Sequence, residues 1–109
     1  MEKETKDLQK RLKNAKIVLA ALGNEIRQDM IVQLASCSPK GLRVSEFKTR
    51  CKLSRPSLSH HIKVLYHAKM IEVEHDGTKN YYRLSPNRQV IDEAIGLFDD
   101  LKQYDRSLK

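Results

Sequence analysis

Tryptophan is absent, aromatic residues make up only 6% of the chain, and the 109 residues include just two cysteines and four glycines. The core must therefore be built from Leu, Ile, Val and Ala, and it must be modest. Cys37 and Cys51 do not make a disulfide framework. No Gly-rich phosphate loop occurs, the histidines and cysteines lack a nucleophile–base spacing, and no carboxylate pair falls in an expected cleft. An enzyme is therefore not expected. The longest apolar run, Ile17–Leu22, is far too short to cross a bilayer, and the first sixteen residues are dense in charge. The basic part of the chain also lacks an amphipathic helix with large apolar anchors. Neither a secretory leader nor a membrane partner is expected, and the chain reads as a soluble cytoplasmic protein.

Another absence is local. Between Phe47 and Ile71 there is no carboxylate at all. From Lys40 to Arg88 the chain carries eleven Lys and Arg against four Asp and Glu, an excess of seven positive charges; the remainder carries ten of each. The whole net charge of +7 thus sits in the middle of an otherwise neutral frame. Such a distribution implies a polyanion met on one surface, with nucleic acid favoured over an anionic membrane.

No internal repeat, low-complexity run or linker divides the chain, so residues 1–109 read as one domain. Leu8, Leu12, Ala15, Leu19 and Leu22 recur at spacings of 4, 3, 4 and 3, a heptad-like seam on a first helix over about 5–22. Val90, Ala94, Leu97, Leu101, Tyr104 and Leu108 continue the same rhythm on a last helix over about 87–106, widened by Ile91, Ile95 and Phe98. Ser85 is its candidate cap and Pro86 suits its first turn. A domain this small is marginal alone. The two seams carry more apolar surface than its core needs. They are expected to form a subunit interface through Leu8, Leu12, Ala15, Leu19, Val90, Ala94, Leu97 and Leu101.

Asn24–Ala35 reads as a second helix, Ser38–Gly41 as a loop and Leu42–Val44 as a short strand. Ser45 is placed to cap a short third helix through about Cys51, with Phe47 and Cys51 facing inward. Ser54 caps a further helix with Pro56 in its first turn, where a missing amide costs nothing. The third helix, its turn and this helix make a helix-turn-helix over 45–70. At 100° per residue Leu58, Ile62 and Leu65 share one stripe, and Pro56, His60, Lys63 and His67 lie opposite with Ser57 and Ser59 flanking. Val64 is the one apolar group expected on the outward side. Hydroxyls, an imidazole and an ammonium can donate to base edges and phosphates. His60 points outward toward DNA, and His61 flanks the apolar stripe and is expected to be packed or bonded within the chain. His67 comes one turn too late to reach far into a groove.

Residues 71–84 alternate as a hairpin: Ile71, Val73 and His75 against Glu72 and Glu74, then Tyr82 and Leu84 against Tyr81 and Arg83. Asp76-Gly77 supplies the positive φ angles of a tight turn, with Thr78, Lys79 and Asn80 at the tip. His75 reads as an ordinary strand residue. A basic tip beside a groove-sized helix is a wing. The expected fold is mainly α with a small β-hairpin, a winged helix-turn-helix in the order α-α-(β)-α-α-β-β-α.

Leu53-Ser54-Arg55-Pro56-Ser57-Leu58-Ser59-His60-His61-Ile62-Lys63-Val64-Leu65, followed by Ile71, Gly77 and Tyr81-Tyr82-Arg83-Leu84, resembles the ArsR family of winged helix-turn-helix repressors. Ala21 to Glu25 and Arg27 are similar to the stretch opening that family's second helix, so the resemblance spans roughly residues 15–85. It implies a homodimer built from first and last helices, a partly palindromic operator, and repression relieved by an inducer. Carried onto matching positions, it makes Ser54, Arg55, Ser57, Ser59, His60 and Lys63 DNA contacts, and Lys79 and Arg83 wing contacts. Members that sense metals use a thiolate pair in the third helix, or Asp, His and Glu of the last helix across the dimer. Here the stretch from Ser45 to Cys51 holds one cysteine, and residues 87–109 hold no histidine or cysteine. Asp92, Asp99, Asp100 and Asp105 read as a solvated face. No metal and no cofactor is expected, and the inducer stays unidentified. Two alternatives remain: a winged helix used for protein contact, and a thiol-responsive repressor using Cys37 and Cys51.

Overall fold

The computed structural model describes residues 3–37, 39–48 and 53–107, with the side chains of the last helix described through residue 103. Ser38, Cys51, the Tyr104 side chain and Leu108 lie outside the described residues. Helix α1 (Lys3–Leu22) stops before Gly23, and α2 (Glu25–Ser36) starts at once. Asn24 makes this corner. Its side-chain oxygen accepts from the amides of Ile26 and Arg27 at 2.9 and 3.1 Å, filling two of the donors a helix start leaves open. The carbonyls left open at the end of α1 are taken by α2 side chains. Arg27 donates to Ala21 and Ala20, and Gln28 to Leu22.

The chain after α2 turns through Gly41 (φ 88°) and lays Leu42 beside Tyr82, where the two residues exchange backbone bonds of 2.8 Å. In place of the short third helix, the described residues form one 3-10 turn, Val44–Glu46. Ser45 is inside it rather than capping it, and the Glu46 carboxylate reaches back to the Arg43 amide at 2.8 Å. Phe47 then turns extended (φ −69°, ψ 131°), which ends the turn while still burying the ring. Gln33 clamps the next backbone unit, accepting from the Lys48 amide at 2.8 Å and donating to its carbonyl at 2.5 Å.

Helix α3 (Arg55–His67) follows, then the antiparallel pair β1 (Ile71–Asp76) and β2 (Lys79–Leu84), in register from Ile71 opposite Leu84 to Asp76 opposite Lys79. The tip residues are Gly77 and Thr78. Gly77 takes the positive φ of 62° and Asp76 does not, because Asp76 is still paired as a strand residue. Helix α4 (Gln89–Ser107) begins beyond Pro86. Asn87 accepts from the Gln89 amide at 3.0 Å, and Ser85 accepts from the Asn87 amide at 3.3 Å. The expected serine cap thus acts one step earlier.

The core joins Val18 and Ala21 of α1, Met30 and Leu34 of α2, Phe47, Ile62, Leu65 and Ala68 of α3 and its end, and Met70 and Ile71 leading into the wing. On α1 the deepest residues are Val18 and Ala21, beside the seam; Leu8, Ala15, Leu19 and Leu22 are half-buried, and Leu12 is 38% exposed. Helix α4 runs antiparallel along α1, with Arg11 ion-paired to Asp100. Leu97 is 1% exposed within this single chain, whereas Ile17, Ile95 and Phe98 stand 62%, 57% and 49% exposed.

The end of α3 carries a strained residue. The Met70 amide bonds Leu65 and the Lys69 amide bonds Tyr66, the two closures of a Schellman cap, with Lys69 in the left-handed position at φ 62°. Glycine avoids the Cβ penalty there. Lys69→Gly should raise stability by about 0.5–1 kcal/mol, read as a higher denaturant midpoint. An unchanged midpoint would show that the Lys69 side chain makes up the difference elsewhere.

Candidate nucleic-acid interface

Helix α3 forms here because its start is prepared. The Ser54 hydroxyl accepts from the Ser57 amide at 3.3 Å and donates to the Ser57 hydroxyl at 3.1 Å, and proline occupies the first turn. Ser54 and Ser57 are therefore engaged in holding the helix start, and Ser57 is half-buried. Ile62 and Leu65 are buried and Leu58 half-buried, which turns Arg55, Ser59, His60 and Lys63 outward as one exposed surface. Lys63 lies one turn after Ser59 and two turns after Arg55–Pro56, so the row runs along the helix axis. No carboxylate is among these residues. His67 lines a cavity of about 730 Å³ between α1 and α4, a turn beyond the row. Val64 packs against the core, and the exposed apolar group of this helix is Tyr66, 47% open to solvent. The phasing sets Val64 outward; in the structure it is half-buried at the margin of the core-facing stripe.

The other adjacent imidazole is half-buried. His61 Nδ1 lies 3.0 Å from Arg27 Nη1, so the two histidines take separate sides of the helix, as the phasing expects. Burial, with the Arg27 charge and then His60 as smaller causes, holds the His61 pKa below the ordinary 6.5. The sequence alone carries no signal that singles out Arg27 as its partner, 34 residues away.

On the wing, cross-strand pairs put Glu72, Glu74 and Asp76 on one face with Arg83, Tyr81 and Lys79. Arg83 Nε donates to Glu72 at 2.6 Å and its Nη2 meets Glu74 at 2.8 Å. The hydrogen bond that Arg83 donates to Glu72 leads in raising its pKa, followed by the one it donates to Glu74. Arg83 therefore sits in a carboxylate clamp toward the base of the wing. Lys79 stands exposed at the tip. His75 Nδ1 donates to Asn80 Oδ1 at 2.6 Å, tying the tip across the strands. Lys40 lies over the Tyr81 ring at 5.4 Å, a cation–π contact that docks the loop before Gly41 on the wing. Spacing gives no hint of that contact.

Cys37 is half-buried, its thiol directed to the Leu34 carbonyl at 3.5 Å. Its possible redox partner, Cys51, is outside the described residues. Among the described residues no group of three or more His, Cys, Asp or Glu comes together as a metal site, and no helix is long and apolar enough to cross a membrane.

No protein-family model and no curated protein matches the chain. Solved structures do. An ArsR-like transcriptional regulator from Rhodococcus aligns at a TM-score of 0.65 and 24% identity, covering 86% of this chain and 85% of its own. A possible transcriptional regulator for arsenical resistance aligns at 0.62 and 27% identity, covering 83% and 91%. The third is the homodimeric winged helix-turn-helix DNA-binding domain of a possible ArsR-family regulator from Mycobacterium bovis. It aligns at 0.58 and 17% identity, covering 97% and 93%. The chain has an ArsR-like winged helix-turn-helix fold, and these three proteins are described as transcriptional regulators, the second and third as possible ones.

Proposed function

We propose that this chain is a sequence-specific DNA-binding transcriptional regulator, a homodimeric repressor that reads a partly palindromic operator with residues 55–69 and the wing 76–83. The observation that carries this reading is the exposed row Arg55, Ser59, His60 and Lys63 on α3, free of carboxylates and set beside a hairpin with Lys79 at its tip. A helix of this width enters a major groove, where Ser59 and His60 meet base edges and Arg55 and Lys63 meet phosphates or guanine. Ser54 and Ser57 contribute by holding the helix start, whose open amides favour a phosphate. Lys79 meets the backbone. Arg83 keeps the wing rigid through its two carboxylates.

The exposed Ile17, Ile95 and Phe98 on the paired terminal helices support the two-subunit reading. With them go the half-buried Leu8, Ala15, Leu19, Val90, Ala94 and Leu101, and Leu12 at the edge. Two such subunits would set their α3 helices about one helical turn of DNA apart, roughly 34 Å.

The test is selection from a randomised duplex pool, followed by binding to the recovered sequence across a salt series. Inverted half-sites and a steep fall in affinity with salt are expected, with a log–log slope of roughly −0.9 per phosphate neutralised. Lys63→Ala should make that slope shallower by about 1, and His60→Ala should relax the preference at one base position at a cost of about 1–3 kcal/mol. A specific complex indifferent to salt, or an unchanged preference in His60→Ala, would reject this helix as the reader. Tyr66, exposed on the same helix, is the feature that favours the protein-contact alternative. That reading gains if no duplex is retained.

A further inference from the structure

Arg27 touches three places at once. Its Nε donates to the Ala21 carbonyl at 2.7 Å, its Nη2 to the Ala20 carbonyl at 3.3 Å, and its Nη1 faces His61 Nδ1 at 3.0 Å. The first two contacts hold the last turn of α1, and the third holds the middle of α3, directly behind His60. A guanidinium has only donors. His61 Nδ1 must therefore accept, which fixes the ring as neutral with its proton on Nε2. Once protonated, the ring has no lone pair for Arg27, and two cations face each other at hydrogen-bond distance.

We propose that the Arg27–His61 contact is a strut that sets the recognition helix against the end of α1, and that proton uptake by His61 opens it and weakens DNA binding. This rests on α3 being the DNA reader. The helix held at the other end, α1, is the one that carries the subunit contact in that reading. The strut thus joins the pairing of subunits to the angle of each reading helix, and Arg27 is a positioning residue.

Among the described residues, the charged groups acting on His61 are Arg27 from α2 and His60 from its own helix; α1 presents carbonyl oxygens to Arg27. Both charges and the burial oppose protonation. The folded-state pKa is therefore below the ordinary 6.5. The strut opens as pH falls through this lower folded value; folding stability begins to fall earlier, from 6.5 downward, because the unfolded chain takes the proton first. His60 is a second imidazole, on the DNA side of the same helix. A His60→Gln background leaves His61 as the one imidazole at this point of α3.

The experiment uses the full chain and the duplex recovered by selection, at constant ionic strength, from about pH 7.5 down to about pH 5.5, the range in which histidine titrates. His60→Gln should bind more weakly at the acid end, by up to about tenfold, the ceiling at that pH for a group that titrates below 6.5. H60Q/H61Q, which keeps an oxygen acceptor for Arg27 and cannot titrate, should bind equally at both ends. In the DNA-free protein, the His61 ring followed by NMR should titrate below 6.5 and move upward in Arg27→Met. Binding by folded His60→Gln that ignores pH, or a His61 titration indifferent to Arg27→Met, overturns the strut. If Arg27→Met does not fold, the flat profile of H60Q/H61Q against the sloping one of His60→Gln still decides. Retention of no duplex at any pH would remove the DNA reading itself, and the NMR titration would then judge the strut alone.

Discussion

Gly41→Ala should lower stability by about 3 kcal/mol, which for a chain of this size is a fall of about 15 °C in melting temperature. Two costs add. Gly41 sits at φ 88°, where an L side chain is strained. A Cβ built there would also lie 2.3 Å from the Tyr82 carbonyl oxygen and 3.0 Å from its carbon, both backbone atoms that cannot swing away. The Leu42–Tyr82 bridge and the Lys40–Tyr81 contact follow directly from this crossing, so the variant should loosen the wing as well as the fold. Gly77→Ala is the internal comparison. Its φ of 62° is also positive, but nothing lies within 4 Å of an added Cβ. It should lose only about 1 kcal/mol, the conformational cost alone. Thermal melts of both variants check the pair; equal losses would show that the crossing at Tyr82 is not as close as described.

Leu65→Ala should cost about 3–4 kcal/mol, a large share of the 5–15 kcal/mol typical of a small domain. Leu65 is 0% exposed and packs in the cluster shared by all the elements that position the reading helix. Removing three heavy atoms there loses transfer energy and leaves a cavity next to Met30 and Ile62. The urea midpoint should fall with little change in slope, since the surface exposed on unfolding hardly differs. Tyr66→Ala, one residue on and half-exposed, should stay within about 0.5 kcal/mol of the parent. A loss below about 1 kcal/mol for Leu65→Ala would place this side of α3 at the surface and undo the orientation of the reading row.

Much of this architecture is legible in local chemistry. Ser54 and Pro56 mark where α3 starts, because a hydroxyl acceptor and a ring without an amide both suit a helix N-terminus. The alternation from Ile71 to Leu84 around Gly77 defines the hairpin, and its register then puts Arg83 opposite Glu72. That pairing was within reach of the sequence, yet a cation on a wing reads first as a DNA contact. Only the side-chain geometry shows it clamped by two carboxylates. The short third helix, expected from Ser45, gives way in the described residues to a 3-10 turn, because the Glu46 carboxylate closes on Arg43 and Phe47 must extend to reach the core.

The terminal seams show the same division. Their heptad rhythm announces two helices that pair, but rhythm does not say with whom. Within one chain α1 and α4 already cover each other enough to bury Leu97, and the apolar surface left open falls on Ile17, Ile95 and Phe98.

Taken by itself, the sequence determined the kind of molecule: the basic segment without carboxylates, the capped helix, the Gly-turned hairpin and the flanking seams are all set by neighbours within a few residues. Tertiary structure decided which polar groups stay available. Arg83 and His61 are withdrawn by partners, while Arg55, Ser59, His60, Lys63 and Lys79 stay on the surface. The physical reason is range. Propensity and periodicity act over one or two turns, whereas Arg27 reaches His61 across 34 residues and Leu42 reaches Tyr82 from outside the hairpin. Such partners exist only once the helices have packed.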